Sequence, residues 1–293
     1  MSKQLIRFDW ALKHLLRDKA NFDVLEGFLS ELLKFDLTIV QMGESEGNQT
    51  QEDDKFNRVD IIAHTSTDEI ILIELQVDSE LDYFHRMLYG VSKAISEYIK
   101  LGENYEKVRK VYSVNIVYFH LGQGIDYVYH GKTEFRGLHQ NDILSLNHKQ
   151  RQKYTVEAVH DIYPEYYILK INDFNDIAKD GLDEWIYFFK NNEIKDTFKA
   201  KGLEKAKETL DLNNMSEKEK ITYQIHWENK RYEKSMLDGA KFEGKIEGKI
   251  EGKIEGKEER NIEVAKNLLN LGISVSDISK ATGLSEAEIN GLK

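Results

Sequence analysis

Apolar side chains at Phe22, Leu25, Phe28, Leu29, Leu32 and Leu33 recur three and four residues apart. That interval lays them along one side of a helix, so "FDVLEGFLSELL" predicts an amphipathic helix, with Glu26 in the row Phe22, Glu26, Leu29, Leu33. Leu81, Phe84, Leu88, Val91, Ile95 and Tyr98 repeat the interval and predict a second helix over 79–99. Between them, residues 41–57 are polar and loop-like, and "VDIIAHTSTDEIILIELQ" (59–76) reads as two short apolar runs about a polar turn, a β-hairpin. "KVYSVNIVYFHL" (110–121), "IDYVYH" (125–130) and "YYILKI" (166–171) predict further strands, and "LDEWIYFFKNN" (182–192) a helix.

Strands that are apolar on both sides need helices over both faces of their sheet. In the hairpin Ile61, Ala63, Ile71, Ile73 and Leu75 share one face, while Ile62 and Leu72 share the other. The expected fold is therefore α/β, a three-layer core with a mixed sheet, followed by a C-terminal helical extension. Residues 1–200 form the core domain in this reading.

The same parity raises a chemical question. Asp60 and Glu74 are equidistant from Thr67, so a hairpin that turns there sets them opposite each other, about 5 Å apart on one face. Gln76 projects to that face too. Two such carboxylates repel by roughly 3 kcal/mol at an effective dielectric of ~20. A divalent cation is the simplest relief, and oxygen-only ligands select magnesium or manganese. A turn shifted by one residue would send Glu74 to the other face.

From about residue 200 the composition shifts to charged helix formers. Residues 201–258 read as a charged helical linker that ends in the repeat "EGKIEGKIEGKIEGK", and 259–293 as a small helical, helix-turn-helix-like tail. The repeat has a period of four, which stacks Glu on Glu and Lys on Lys along a helix and weakens it. Glycine at every fourth position costs about 1 kcal/mol each against alanine. The expectation is a helix of marginal stability in isolation, with pairing of two copies along the glycine stripe as a route to a homodimer through 201–258. The tail holds four Lys/Arg against five Asp/Glu, and its second helix is acidic at Glu286 and Glu288; packing or protein contact therefore stands beside DNA reading as its role.

Composition narrows the classes. The 293 residues carry a net charge of −11 and no cysteine, which excludes disulfides, thiolate nucleophiles and Cys-ligated zinc. The N-terminal stretch has no signal-peptide apolar core, and no apolar run reaches the about 18 residues of a membrane span; a soluble cytoplasmic protein is expected. An acidic chain binds nucleic acid only through a local basic surface, for which "HKQRQKY" (Lys149, Arg151, Lys153) and "KVRK" (107–110) are the candidates. The repeat is no P-loop, because three residues rather than four separate its glycines and isoleucine follows the lysine. "LGQGIDY" carries only two glycines of a dinucleotide fingerprint, HExxH and GxSxG do not occur, and the nine histidines show no ligand spacing.

"VD" followed by "IELQ" resembles the Asp and Glu-x-Lys/Gln pattern of PD-(D/E)XK nucleases. "FDWALKHLLRD", "VLEGFLSELL", "DYFHRMLYGVSKAISEYIKLGENYEKVRKVYSVNIVYF" and "LDEWIYFFKNNEIKDTF" look like the Rpn family of recombination-promoting nucleases, also described as PD-(D/E)XK family transposases; the likeness runs over most of residues 5–240. The resemblance implies a restriction-endonuclease-like fold and DNA cleavage with Mg2+ or Mn2+. By position, Asp60 and Glu74 would hold the metal with the Leu75 carbonyl, and Gln76, in the lysine position, would orient the water. Glu26 matches a helix acid of the superfamily, and Val59 stands where the motif's name has proline. Arg86 and Tyr89, one helix later, could approach the site or a phosphate.

Two functions follow. The first is a magnesium-dependent DNA endonuclease promoting recombination or acting on mobile DNA. The second is a nuclease-like DNA- or protein-binding module with weak or no turnover, suggested by Gln76, whose amide carries no useful proton, and by the acidic net charge.

Overall fold

The computed structural model describes residues 5–43, 60–99 and 104–292. They divide into two compact units, Met1–Ser216 and Glu217–Lys293.

The first unit opens with α1 (Phe8–His14) and α2 (Phe22–Leu33), then β1 (Ile39–Met42), β2 (Ile61–Thr65), β3 (Ile70–Gln76), α3 (Tyr83–Tyr98) and β4 (Val111–Val117). It continues through β5 (Val128–Gly131), α4 (His148–Tyr154), β6 (Glu165–Lys170), α5 (Gly181–Asn191) and α6 (Leu203–Thr209). One mixed sheet runs in the order β1-β2-β3-β4-β6-β5. β3, β4 and β6 are parallel, and β1, β2 and β5 run antiparallel to their neighbours.

The β2–β3 hairpin turns about Thr67, with Ile61 opposite Ile73 and Ala63 opposite Ile71. Its three-residue loop is closed by the Thr65 N–H donating to the Glu69 carbonyl at 3.1 Å. Asp68 takes the left-handed conformation, φ 70°, that such loops place before the returning strand. The Glu69 N–H also donates to Thr65 Oγ1 at 3.1 Å. Local chemistry thus sets the register, and the register sets which face each side chain occupies.

α3 covers the face of Ile62, Ile70 and Leu72 through Val91 and Ala94, with Ile95 and Tyr98 packed beside them. Further along, its Tyr83 and Met87 meet Val117 and Leu121. On the other face lie Ile61, Ala63, Ile71, Ile73 and Leu75, all buried, under the layer formed by α1, α2 and α5. That layer is aromatic: the Phe8 ring lies 4.2 Å from Phe189, and Phe28 lies 5.7 Å from Trp185. α2 and the turn before α6 touch backbone to backbone. A Cβ on Gly27 would come within 2.5 Å of the Gly202 Cα, and Gly202 adopts φ 82°, a conformation that suits glycine.

Three details depart from the sequence pattern. β1 was not anticipated, and its last two residues fall in the 41–57 stretch expected as polar loop, because it pairs only as an edge along β2 and buries only its first residue. The strand predicted over 110–121 ends at Val117, and that predicted at 125–130 is a four-residue edge strand. In α3 the predicted stripe packs at Val91, Ile95 and Tyr98, but in its first half Tyr83 and Met87 are buried, whereas Leu81, Phe84 and Leu88 are exposed. Apolar residues ring most of this helix, so periodicity alone leaves its phase ambiguous.

Polar groups knit the other end of the sheet. The Lys110 ammonium donates to Glu165 at 2.8 Å and to the carbonyls of His160 and Tyr163, and His130 Nε2 lies 2.7 Å from the second Glu165 oxygen. Burial alone would raise the Glu165 pKa, but the bonds from Lys110 and His130 outweigh it and hold it below the usual carboxylate value. A depressed carboxylate stabilises the fold above its unfolded pKa and loses that contribution as pH falls through the folded one. Glu165→Gln should therefore cost about 2 kcal/mol at neutral pH, with the difference shrinking below about pH 4. Urea unfolding of both proteins at neutral and acid pH checks this.

The second unit comprises α7 (Glu217–Asn270), α8 (Val275–Thr282) and α9 (Glu286–Asn290). α7 is 54 residues long and continues through the glycine repeat. Among the described residues, apart from the adjoining residues and backbone of the helix itself, no atom lies within 4 Å of where a Cβ would stand on Gly244, Gly248, Gly252 or Gly256. Ile246, Ile250 and Ile254 are exposed beside them. The end of α7 packs with α8 and α9 around Ala265, Ile278 and Ile289. Ser274 and Ser285 cap the two short helices, as small polar residues do at helix starts.

Candidate active site

The paired register of the hairpin ends at Ile61–Ile73; Asp60, one residue before β2, places its Oδ2 on the N–H of Leu75, the residue next to Glu74. Glu74 and Gln76 project from the end of β3 on the side that α3 covers, and Glu74 is buried. In β4 its parallel partner is Asn115.

The neighbours of Glu74 come from α3. Arg86 places Nη2 on Glu74 Oε1 and Nη1 on Glu80 Oε1 at 2.7 Å. The same Glu80 oxygen accepts from Gln76 Nε2 at 2.9 Å, and Gln76 Nε2 also reaches the Asp78 carbonyl at 3.2 Å. A continuous chain thus runs from Gln76 through Glu80 and Arg86 to Glu74. Burial alone would lower the Arg86 pKa, but Glu74 and Glu80 reverse this and hold it above its ordinary value. The Tyr83 hydroxyl donates to Asn115 Oδ1 at 3.2 Å. Burial, then the nearby Glu74 charge, push its pKa far up, so it stays a neutral donor.

Asp60 lies on the open side of β3. Its Oδ2 accepts from the Leu75 N–H at 2.7 Å, and its carbonyl accepts from Arg17 at 2.6 Å. Ile70 bonds to β4 through its N–H and Gln76 through its carbonyl, so the intervening odd residues of β3 direct their backbone groups toward β2. The Leu75 carbonyl therefore faces the strand edge on which Asp60 lies.

Two acids paired on one face are expected to need a cation for relief. In the structure the relief is internal: Arg86 compensates Glu74, and the Leu75 N–H satisfies Asp60. Among the described residues no group of three or more His, Cys, Asp or Glu side chains is placed to hold a metal. The set at hand is two carboxylates and a backbone carbonyl at one strand end. Its chemistry, oxygen throughout, fits a hard divalent cation such as Mg2+.

Other candidate residues stand elsewhere. Glu26 accepts from the Ile39 N–H at 2.7 Å. Ile39 pairs with Thr65, at the end of β2 away from Asp60, so Glu26 ties α2 to β1 rather than joining the acids. Tyr89 lies at the exposed side of α3. Lys149, Arg151 and Lys153 are on α4, where Lys153 pairs with Glu106 at 3.4 Å, just ahead of β4 and at the opposite sheet end from Glu74. In the 107–110 run, Arg109 pairs with Asp68 at 3.0 Å and Lys110 with Glu165, so two of its three cations are engaged inside the fold. His64 packs edge-on against Tyr98, and burial lowers its pKa. Val59 lies outside the described residues.

Glu80, Tyr83 and Asn115 were not singled out from the sequence. Glu80 sits in an acidic stretch just before a helix, where acids are ordinary. The polar pair Ser113 and Asn115, two apart in an apolar strand, was the available signal; Asn115 Nδ2 donates to Ser113 Oγ at 2.9 Å.

Two family models match the chain: PD-(D/E)XK nuclease family transposase over residues 6–240, and Rpn/YhgA-like nuclease family, C-terminal HTH domain, over 258–293. No curated protein and no solved structure matches significantly. Asp60 and Glu74 fall within the first match, and α8 and α9 within the second: the chain belongs to the PD-(D/E)XK nuclease family of transposases and carries the C-terminal HTH domain of Rpn/YhgA-like nucleases.

Proposed function

We propose that this nuclease is a divalent-metal-dependent DNA endonuclease, using Mg2+ or Mn2+, that serves recombination or mobile DNA and acts in the cytoplasm. The observation that carries this reading is the bond from the Leu75 N–H to Asp60 Oδ2 at 2.7 Å, which sets Asp60 beside Glu74 at the end of β3. Asp60, Glu74 and the Leu75 carbonyl would hold the cation. When bound, it would acidify a water and stabilise charge on the phosphate. Gln76 has its amide nitrogen engaged by Glu80; its oxygen remains an acceptor that can orient a water proton, although the amide supplies no proton of its own.

The test is nicking of supercoiled plasmid with and without Mg2+ or Mn2+, comparing the native chain with Asp60→Ala and Glu74→Ala. The second reading, a binding module without turnover, is favoured by the Arg86 counter-charge already on Glu74. Metal-independent DNA binding with no cleavage in the same assay would select it. No described helix is long and apolar enough to cross a membrane.

The same proposal includes a homodimer through residues 201–258. The open glycine stripe and exposed Ile246, Ile250 and Ile254 let a second α7 approach closely, with columns of Lys and Glu able to face their opposites. Sedimentation equilibrium should give twice the chain mass, and a monomer at high protein concentration would remove the dimer.

A further inference from the structure

The contacts around Glu74 carry an inference that rests on the metal-site reading above. One arginine spans two carboxylates with different surroundings. Glu74, on the sheet, is buried, whereas the Glu80 side chain retains 30% exposure and the Arg86 side chain 26%. Arg86 is therefore wedged between the proposed cation ligand and the mouth of the site. An isolated buried carboxylate is costly, and the Arg86 charge meets that need at Glu74. A divalent cation binding Glu74 would remove the reason for the ion pair and add repulsion toward the guanidinium.

We propose that Arg86 is the resting counter-ion of Glu74 and competes with the divalent cation for it. Glu80 is the positioning residue that keeps Arg86 at the mouth once the cation has taken Glu74. The Glu80 carboxylate suits that part because a single oxygen, Oε1, already receives both Arg86 Nη1 at 2.7 Å and Gln76 Nε2 at 2.9 Å. Movement of Arg86 toward Glu80 leaves Gln76 tethered to the same group. The displaced guanidinium then offers its freed N–H groups at the entrance, where a phosphate oxygen can accept them in its planar fork.

The distinguishing readout is metal affinity without DNA. Mn2+ binding to the full chain is measured by calorimetry for the native protein, Arg86→Gln, Glu80→Gln and Glu74→Gln. Arg86→Gln should bind Mn2+ roughly tenfold more tightly, because the competing charge is gone, and should melt lower than the native chain without metal while gaining more from saturating Mn2+. Glu80→Gln should bind several-fold more weakly, having lost the acceptor that receives Arg86. Should Arg86→Gln not fold, Arg86→Met carries the expectation: it keeps an unbranched apolar stem without the charge, and should also bind Mn2+ more tightly. Unchanged or weaker Mn2+ binding in the Arg86 variants, alongside loss of binding in Glu74→Gln, would overturn the competition and leave the metal site standing. Native-like binding in Glu74→Gln would instead remove the metal-site reading itself.

Discussion

Glu74→Ala and Asp60→Ala are each expected to lower plasmid cleavage by at least roughly a thousandfold, about 4 kcal/mol of barrier. Such a loss is of the size seen when a group that stabilises transition-state charge is removed from a preorganised site. Alanine at Glu74 also removes one of the two counter-charges of the partly buried Arg86 and leaves only Glu80, which adds a folding cost to the lost ligand. Glu74→Gln and Asp60→Asn separate the two, since each keeps the shape and removes only the anionic ligand. Circular dichroism and urea midpoints should show these variants folded, with cleavage still lost. Equal nicking by native and substituted proteins, each free of contaminating nuclease, would withdraw the site from Asp60 and Glu74. Addition of a chelator to the native chain should abolish cleavage to the same extent.

Trp185→Ala should cost about 4 kcal/mol of stability, measured by urea unfolding. Trp185 is fully buried and packs its indole against Phe28 at 5.7 Å and Phe189 at 5.8 Å. Its Nε1–H donates to the Lys201 carbonyl at 3.1 Å, so truncation removes ring contacts and also strands a backbone acceptor in the turn that leads into α6. By contrast Leu81→Ala, at a fully exposed position, should fall within about 0.5 kcal/mol of native. A small loss for Trp185→Ala would mean that the aromatic layer of α1, α2 and α5 is not what holds that side of the sheet.

The parts of this fold that were legible in the sequence are those where two levels of pattern agree. In the β2–β3 hairpin, apolar residues flank a polar turn symmetrically, and Thr65, Thr67 and Asp68 are residues that turns accept; register and side-chain parity follow together. α2 was legible because one side of it is plainly apolar. α3 was legible as a helix, and in its second half also in its orientation through Val91, Ile95 and Tyr98, but Leu81, Phe84 and Leu88 extend that stripe into solvent. At the candidate site the strand pattern brings Asp60 and Glu74 to one end of the hairpin, but not their partners: Asp60 turns to the Leu75 N–H and Glu74 to Arg86. Completion of the site by Glu80 depends on the path of the chain between β3 and α3, which no local period encodes. The basic run 148–154 misleads for a similar reason: which end of the sheet a connecting helix reaches follows from strand order and direction. Strand β6 runs parallel to β4, so the helix that leads into it sits at the end where those strands begin.

The meeting of Gly27 with Gly202 ties two distant stretches of sequence into one constraint. The Cβ of any other residue at either position would run into the opposing main chain, and no rotamer choice moves a main chain aside. The seam joining α2 to the α5–α6 connection therefore has no graded variants: it closes with glycine on both sides, or it opens. Among divergent sequences built on this fold, the two positions should change only together, and only alongside a rearranged turn.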